Sequence, residues 1–327
     1  MTSSSIHVVF GAGQVGLPLA RRLAGRGHQV RLVSRSGTAA GPAAGPAPLA
    51  IQALAGDATD AAACREAVVG AAVVYHCMNP KYQAAAWETE LPRIQENLVA
   101  AAGRAGARLV MLDNLYAVGR TGGRPMDEDT PDAPCSRKGT ARARLAESLR
   151  QAHRRGDVRA VTGRASDFFG PGALQSHFGE RFWGRVLAGK SGQVLGNPDT
   201  PHSYHYVLDV AAGLAALGEA PEDALGRTWM LPCAPAETTR ALVGHFAAAL
   251  GRPVAVQRLP RPMVKVLGLF MPPVREIEEV LYQWDEPFVV DDRRFRERFG
   301  VGSTPPDEAA RETVRWAQRS FGGAAGR

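Results

Sequence analysis

The chain has 327 residues, 45% of them hydrophobic and 22% charged, which suits one large or two smaller globular domains with a real core. Net charge is +7, but the arginines are scattered, with no Lys/Arg block and no basic run interleaved with aromatics, so nucleic acid is not an expected partner. The four cysteines, Cys64, Cys77, Cys135 and Cys233, form no CxxC pair and no Cys/His cluster, which argues against a metal site or a disulfide framework and fits a reducing cytosol.

MTSSSIHVVFGAG lacks a basic region and a long apolar stretch, so no secretory signal is expected. IHVVF (6–10) reads as a buried strand. Residues 14–26 read as a helix with Val15, Leu19 and Leu23 on one face, and 28–35 as a second strand. GTAAGPAAGPAPLA (37–50) is too rich in breakers for a helix and reads as a loop. A third strand at 49–54, a short helix at 61–70, a strand at 72–78, a helix at 88–103 and strands at 107–114 and 157–166 follow. Beyond residue 172 turns, aromatics and histidines appear. From about 232 a further stretch holds TRALVGHFAAALG, PVAVQRLP and a closing helix in PDEAARETVRWAQRSF. VKVLGLFMPPV (264–274) carries a Lys and is too short to span a membrane; it reads as a core or docking helix.

The first strand runs into Gly11-Ala12-Gly13-Gln14-Val15-Gly16 and then a helix, with a second strand beyond. In that context GxGxxG is a dinucleotide-phosphate loop. The glycines allow the tight turn, the approach of backbone to pyrophosphate and close helix–strand packing, and the helix N-terminus faces the phosphates. The second strand ends in Ser34 and Arg35, where NAD specificity wants an acid on the ribose hydroxyl. A hydroxyl and a guanidinium suit the extra phosphate of NADP, so NADP is expected, with NAD as the alternative. Strands alternating with helices predict an α/β fold, a doubly wound parallel Rossmann sheet with a smaller C-terminal α/β substrate domain. The expected division is 1–170, with 206–232 returning to it, and 171–327.

Read in order, these segments resemble the short-chain dehydrogenase/reductase superfamily in its extended and atypical branches, the NAD-dependent epimerase/dehydratase type. FGAGQVG resembles its glycine loop, with Phe10 in place of the first glycine. GDATD (56–60) resembles the segment whose acid meets adenine, which implies Asp57. VVYHCMN (73–79) resembles the strand beside the nicotinamide ribose, which implies Cys77 at the cofactor and Asn79 toward substrate. MLDNLYAVG (111–119), RASDFFGPG (164–172), SYHYVLDVAAGL (203–214) and STPPDEAARETVRW match its later landmarks.

The family's chemistry uses a Ser that polarises the substrate oxygen, and a Tyr-x-x-x-Lys pair in which Tyr moves the proton and Lys holds the ribose and lowers the Tyr pKa. Anchored on Gly119 and Glu147, the Ser position is Asn114, the Tyr position Gly139 and the Lys position Ala143. On this frame all three are changed, and an empty volume is expected where the Tyr ring and Lys stem would lie. Asn114 is either a hydrogen-bond donor to a substrate oxygen or a turn-forming Asn. Tyr116, on the same side two residues on, is either a proton donor activated by Lys138 or a packed aromatic. Lys138 and Arg142 share a helix face and either hold the cofactor or form an exposed cationic helix start. His202 and Tyr204, with His205 and Tyr206, are alternative acids or interdomain packing, and Phe168 is a pocket wall or core.

Three functions are in competition. The first is an NADP(H)-dependent oxidoreductase acting on a small organic carbonyl or activated alkene. The second is a cofactor sensor without turnover. The third is a nucleotide-sugar epimerase or dehydratase, placed last because its Tyr–Lys pair is missing. A small-molecule substrate and cytoplasmic location are expected, with no nucleic acid, no membrane and no metal; a homodimer is left open.

Overall fold

The computed structural model of the protein describes residues 4–38, 50–259 and 272–322. The loop expected at 37–50 and the apolar segment at 264–274 lie largely outside the described residues. The first six strands are β1 (Ile6–Phe10), β2 (Gln29–Ser34), β3 (Ile51–Ala55), β4 (Ala71–His76), β5 (Arg108–Asn114) and β6 (Arg159–Ala165). Between and after them run α1 (Gly16–Gly25), α2 (Ala61–Ala67), α3 (Ala84–Arg104) and α4 (Arg137–Arg154). Then come β7 (Asp167–Phe169), α5 (Glu180–Leu187), β8 (Gly192–Leu195), β9 (Pro201–His202), β10 (Tyr204–Tyr206), α6 (Val207–Gly218) and β11 (Thr228–Met230). The rest is β12 (Glu237–Thr238), α7 (Thr239–Leu250), β13 (Val256–Leu259), α8 (Pro272–Glu278), α9 (Arg293–Phe299) and α10 (Pro306–Phe321).

Seven strands form one parallel sheet in the order β11-β6-β5-β4-β1-β2-β3. Strand order reverses between β1 and β4, which opens a crevice at their carboxyl ends. Side chains of β1 alternate between two cores, because successive residues of a strand face opposite sides. Val9 joins Leu19 and Leu23 of α1 and Val210 and Leu214 of α6 on one face. Val8 and Phe10 join Cys64 of α2, Ile94 and Leu98 of α3 and Leu149 of α4 on the other. The sheet is thus buried on both faces, as its near-continuous apolar strands require. A third core gathers Phe178, Phe182, Trp183, Phe246 and Val314 from α5, α7, α10 and the loop before α5.

Candidate active site

The glycine loop begins directly after β1. Gly11 has φ +108°, which favours glycine, and its N–H donates to the Val33 carbonyl at 2.9 Å. A side chain there would lie 2.8 Å from the Cys77 carbonyl oxygen, and one at Gly16 would collide with the Gly11 carbonyl. Gly13 faces open space. α1 starts with no side-chain cap at Val15 and no acid in its first turn, so its positive end is not neutralised locally. Gln14 is half-buried beside it. This cradle fits a pyrophosphate. Ser34 and the exposed Arg35 stand at the end of β2, and Asp57 just beyond the paired end of β3. The Asp57 carboxylate accepts from the N–H and hydroxyl of Thr59, both at 2.8 Å, and these bonds lower its pKa. Cys77 continues β4 and its N–H donates to the Phe10 carbonyl at 2.9 Å; burial pushes its thiol up to about 12, so backbone is what it offers a ligand.

Asn114 ends β5 and pairs in register with Ala165. Its Oδ1 accepts the Tyr116 N–H at 3.1 Å, which leaves the NH₂ group as its donor end. The Tyr116 ring stacks on Trp87, and its hydroxyl shares a 2.9 Å hydrogen bond with that of Tyr82.

The Ser136 hydroxyl caps α4 by accepting the Gly139 N–H at 3.0 Å. That cap turns Lys138 and Arg142 inward, four residues apart on the buried face. The buried face of α4 therefore carries Lys138 and Arg142, four residues apart, beside the buried Gly139, and no Tyr-x-x-x-Lys pair. Glu147 belongs to a surface cluster with Arg150, Gln151 and Arg154. The expected empty volume is absent: a methyl group at Gly139 would strike the Tyr116 carbonyl oxygen. Gly139→Ala is accordingly expected to lower stability by about 1–3 kcal/mol despite its better helix propensity. A denaturant midpoint equal to or above wild type would contradict this.

Lys138 is fully buried, and its three ammonium hydrogens are all used. They go to the Glu276 carbonyl at 2.8 Å, Glu276 Oε2 at 2.6 Å and Glu279 Oε1 at 2.6 Å. Glu276 also accepts the Ala84 N–H, and Glu279 the Arg137 N–H, each at 2.8 Å. Lys138 therefore does not activate Tyr116, contrary to expectation. Burial, followed by the charge of Asp167, holds the Tyr116 phenol above its usual range. Arg142 is likewise buried, over the Trp87 ring. Its guanidinium reaches Asn79 Oδ1 and lies 3.3 Å from Asp113 Oδ1, while its Nε is buried without a partner. The cofactor contact expected of Arg142 is thus replaced, on two of its three nitrogens, by contacts within the protein. Asp113 also holds Arg164 at 3.1 Å, and Arg164 holds Asp132 at 2.8 Å.

A second polar cluster follows β6. In register, Asp167 pairs with Tyr204 and Phe168 with His205. Phe168 is half-buried against the core of α1 and α6. His202 Nε2 lies 2.9 Å from Asp167 Oδ2, and its ring stacks on Trp284. The Tyr204 hydroxyl is engaged by Thr239 at 2.8 Å and Trp284 at 3.1 Å, and burial pushes its pKa up, so it is a packed aromatic. Among the described residues no helix is long and apolar enough to cross a membrane, and no three or more His, Cys, Asp or Glu are grouped to hold a metal ion.

The model of the NAD dependent epimerase/dehydratase family matches residues 7–231, more than half of the chain. The chain belongs to that family. No curated protein matches it. Among solved structures it is similar to UDP-N-acetylglucosamine 4-epimerase from Methanobrevibacter ruminantium M1 (TM-score 0.76, 17% identity, 97% of this chain and 99% of that one). UDP-glucuronic acid 4-epimerase from Bacillus cereus, solved with NAD, gives 0.75 and 14% over 97% and 99%. DesIV, a dTDP-glucose 4,6-dehydratase from Streptomyces venezuelae solved with NAD, gives 0.75 and 18% over 97% and 98%. Asp113, Asp167, Glu276, Glu279, Tyr82 and Trp87 were not singled out from sequence. Asp113 and Asp167 did lie inside two quoted landmarks, MLDNLYAVG and RASDFFGPG. The glutamates carry no signal there, since only the fold brings them to α4.

Proposed function

We propose that the protein is a nicotinamide-dinucleotide-dependent epimerase or dehydratase acting on a nucleotide sugar. The observation that carries this is the Asn114 NH₂ group, a donor at the carboxyl end of β5, close to the switch point where the glycine cradle lies. When bound there, the cofactor supplies hydride transfer. The glycine loop would hold its pyrophosphate, Ser34, Arg35 and Asp57 its adenosine end, and Asn114 the reacting oxygen. Reduction of a small carbonyl or alkene was the foremost reading of the sequence; the substrates named for the similar structures favour the sugar reading instead. The test is incubation with NAD or NADP and a panel of UDP- and dTDP-hexoses, read by NMR. Inversion at a ring carbon or loss of water is expected. A panel left unchanged overturns the reading and leaves the cofactor sensor, which the occupied Lys138 ammonium independently favours.

We further propose a preference for NADP(H), because Ser34 and Arg35 end β2 and no acid does. Arg35→Ala is expected to weaken NADP(H) about tenfold or more, through loss of about 1.5–3 kcal/mol of charge-assisted bonding, and to spare NAD(H). Calorimetric titration with both cofactors decides it; equal affinities in the wild type count against the preference.

A further inference from the structure

The family's proton-transfer turn is filled by Lys138, whose hydrogens are all used, and Arg142, whose guanidinium keeps its protons. Burial lowers His177 and His205 to about 4 and raises Tyr116, Tyr204 and Tyr282. Asp167 and His202 form a hydrogen-bonded pair 2.9 Å apart.

Its proton content follows from the chemistry of its contacts. His202 Nδ1 lies 3.2 Å from the Gln283 carbonyl. A carbonyl only accepts, so Nδ1 carries a hydrogen. Asp167 Oδ2 lies 2.9 Å from Nε2, and a carboxylate also only accepts. A proton therefore lies between ring and carboxyl, as imidazolium with carboxylate or imidazole with carboxylic acid. Ser166 Oγ lies 3.4 Å from Nε2. His202 is sealed, 1% exposed and packed among Tyr204, Trp284 and Phe288, whereas Asp167 is 20% exposed. The open end of the pair is the carboxyl group. It stands two residues past Ala165, the register partner of Asn114, and its charge is felt by the Tyr116 phenol.

We propose that Asp167 is the proton-transfer residue of this site, standing in for the missing tyrosine, and that His202 positions it and balances its charge. The proposal rests on the epimerase/dehydratase reading. As the substrate's O–H bond breaks, its proton passes to the Asp167 carboxylate and its electron pair stays on the substrate oxygen. The reverse step returns the proton when the hydroxyl is remade. For that step the shared proton sits on His202 Nε2, which donates to Oδ2 and leaves the carboxylate free to take the substrate's proton.

Three measurements test this. Asp167→Asn should cut turnover of whichever nucleotide sugar the wild type converts by about 10²-fold or more, with cofactor affinity by calorimetry unchanged. His202→Gln should shift the pH profile of kcat while also sparing cofactor affinity. In cofactor-free protein, NMR should show a downfield proton resonance from the pair, lost in both variants. A wild-type level of turnover in Asp167→Asn, or no such resonance in the wild type, overturns the proposal while the function stands. A wild type that converts no nucleotide sugar overturns the function, and the catalytic step with it; the resonance then reports on the pair alone.

Discussion

Asp113→Ala is expected to cost about 3–5 kcal/mol of folding stability, the scale for removing one partner from a buried ion pair. Asp113 is 6% exposed and lies between two guanidiniums, Arg142 and Arg164, each 4% exposed. Arg164 would keep Asp132, but among the described residues Arg142 would keep no anion, only the neutral oxygen of Asn79 and the face of Trp87. Burial already works against the Arg142 charge, and Asp113 is the main group opposing that. The contact to Arg142 is one of charge more than of alignment, since Asp113 Oδ1 sits 3.3 Å away without a well-directed hydrogen bond. Asp113→Asn, which keeps the shape and removes the charge, should therefore lose most of the same stability. Urea unfolding is the measurement, read as a lower midpoint at unchanged slope. A loss below about 1 kcal/mol in the alanine variant would mean that water or relaxation rescues Arg142, and the ladder of charges would not be structural.

The second large effect is acid lability. Burial lowers His7 and His205 to about 4 and His76 to about 3, and His7 also feels the neighbouring His28. All three are at most 1% exposed. His76 Nδ1 accepts the Met78 N–H and His205 Nδ1 the Ser166 N–H, bonds that need the neutral ring. The sign follows from proton counting. Between pH 6.5 and 4 the unfolded chain binds protons at these rings and the folded chain does not, so stability falls as pH falls. The contribution is complete above the unfolded value near 6.5 and is lost progressively toward pH 4. The slope approaches about 1.4 kcal/mol per ring per pH unit only below pH 6.5, so each ring costs about 1 kcal/mol and the three together about 3 kcal/mol between pH 6.5 and 5.5. The buried carboxyls of Glu128 and Asp209 are raised, mainly by burial, and act in the opposite sense. Unfolding midpoints measured across this range should drop steeply. Because His177 is lowered to about 4 as well, His76→Gln should flatten the slope by about a quarter, and a midpoint independent of pH would refute the account.

The fold was legible because its signals are local. The apolar run of IHVVF, the glycine spacing after it and the amphipathic faces of α1 and α10 are each contained in a few consecutive residues. The register of α4 was not legible, because it depends on which of two small neighbours carries the cap. Ser136 caps the helix, and Lys138 and Gly139 are both buried in its first turn. The partners of Lys138 and Arg142 were further out of reach. Glu276 is 138 residues along the chain from Lys138, and Asn79 is 63 from Arg142. A polar contact across such a separation leaves no periodic trace. His202 was visible as a candidate acid, but Asp167, 35 residues earlier, gives it its meaning.

The carboxylates around Lys138 also bear on how this centre could have arisen or be reversed. Putting a tyrosine at 138 and a lysine at 142 would restore the spacing of the ancestral pair but not its surroundings. Glu276 and Glu279 would face a phenol, Asp113 would meet a point charge in place of a fork, and Asn79 would lose its donor. Each reversion taken singly removes or weakens contacts that the remaining members were placed to make. Lys138, Arg142, Asp113, Glu276 and Glu279 are thus coupled, and substitutions among them should be non-additive in stability.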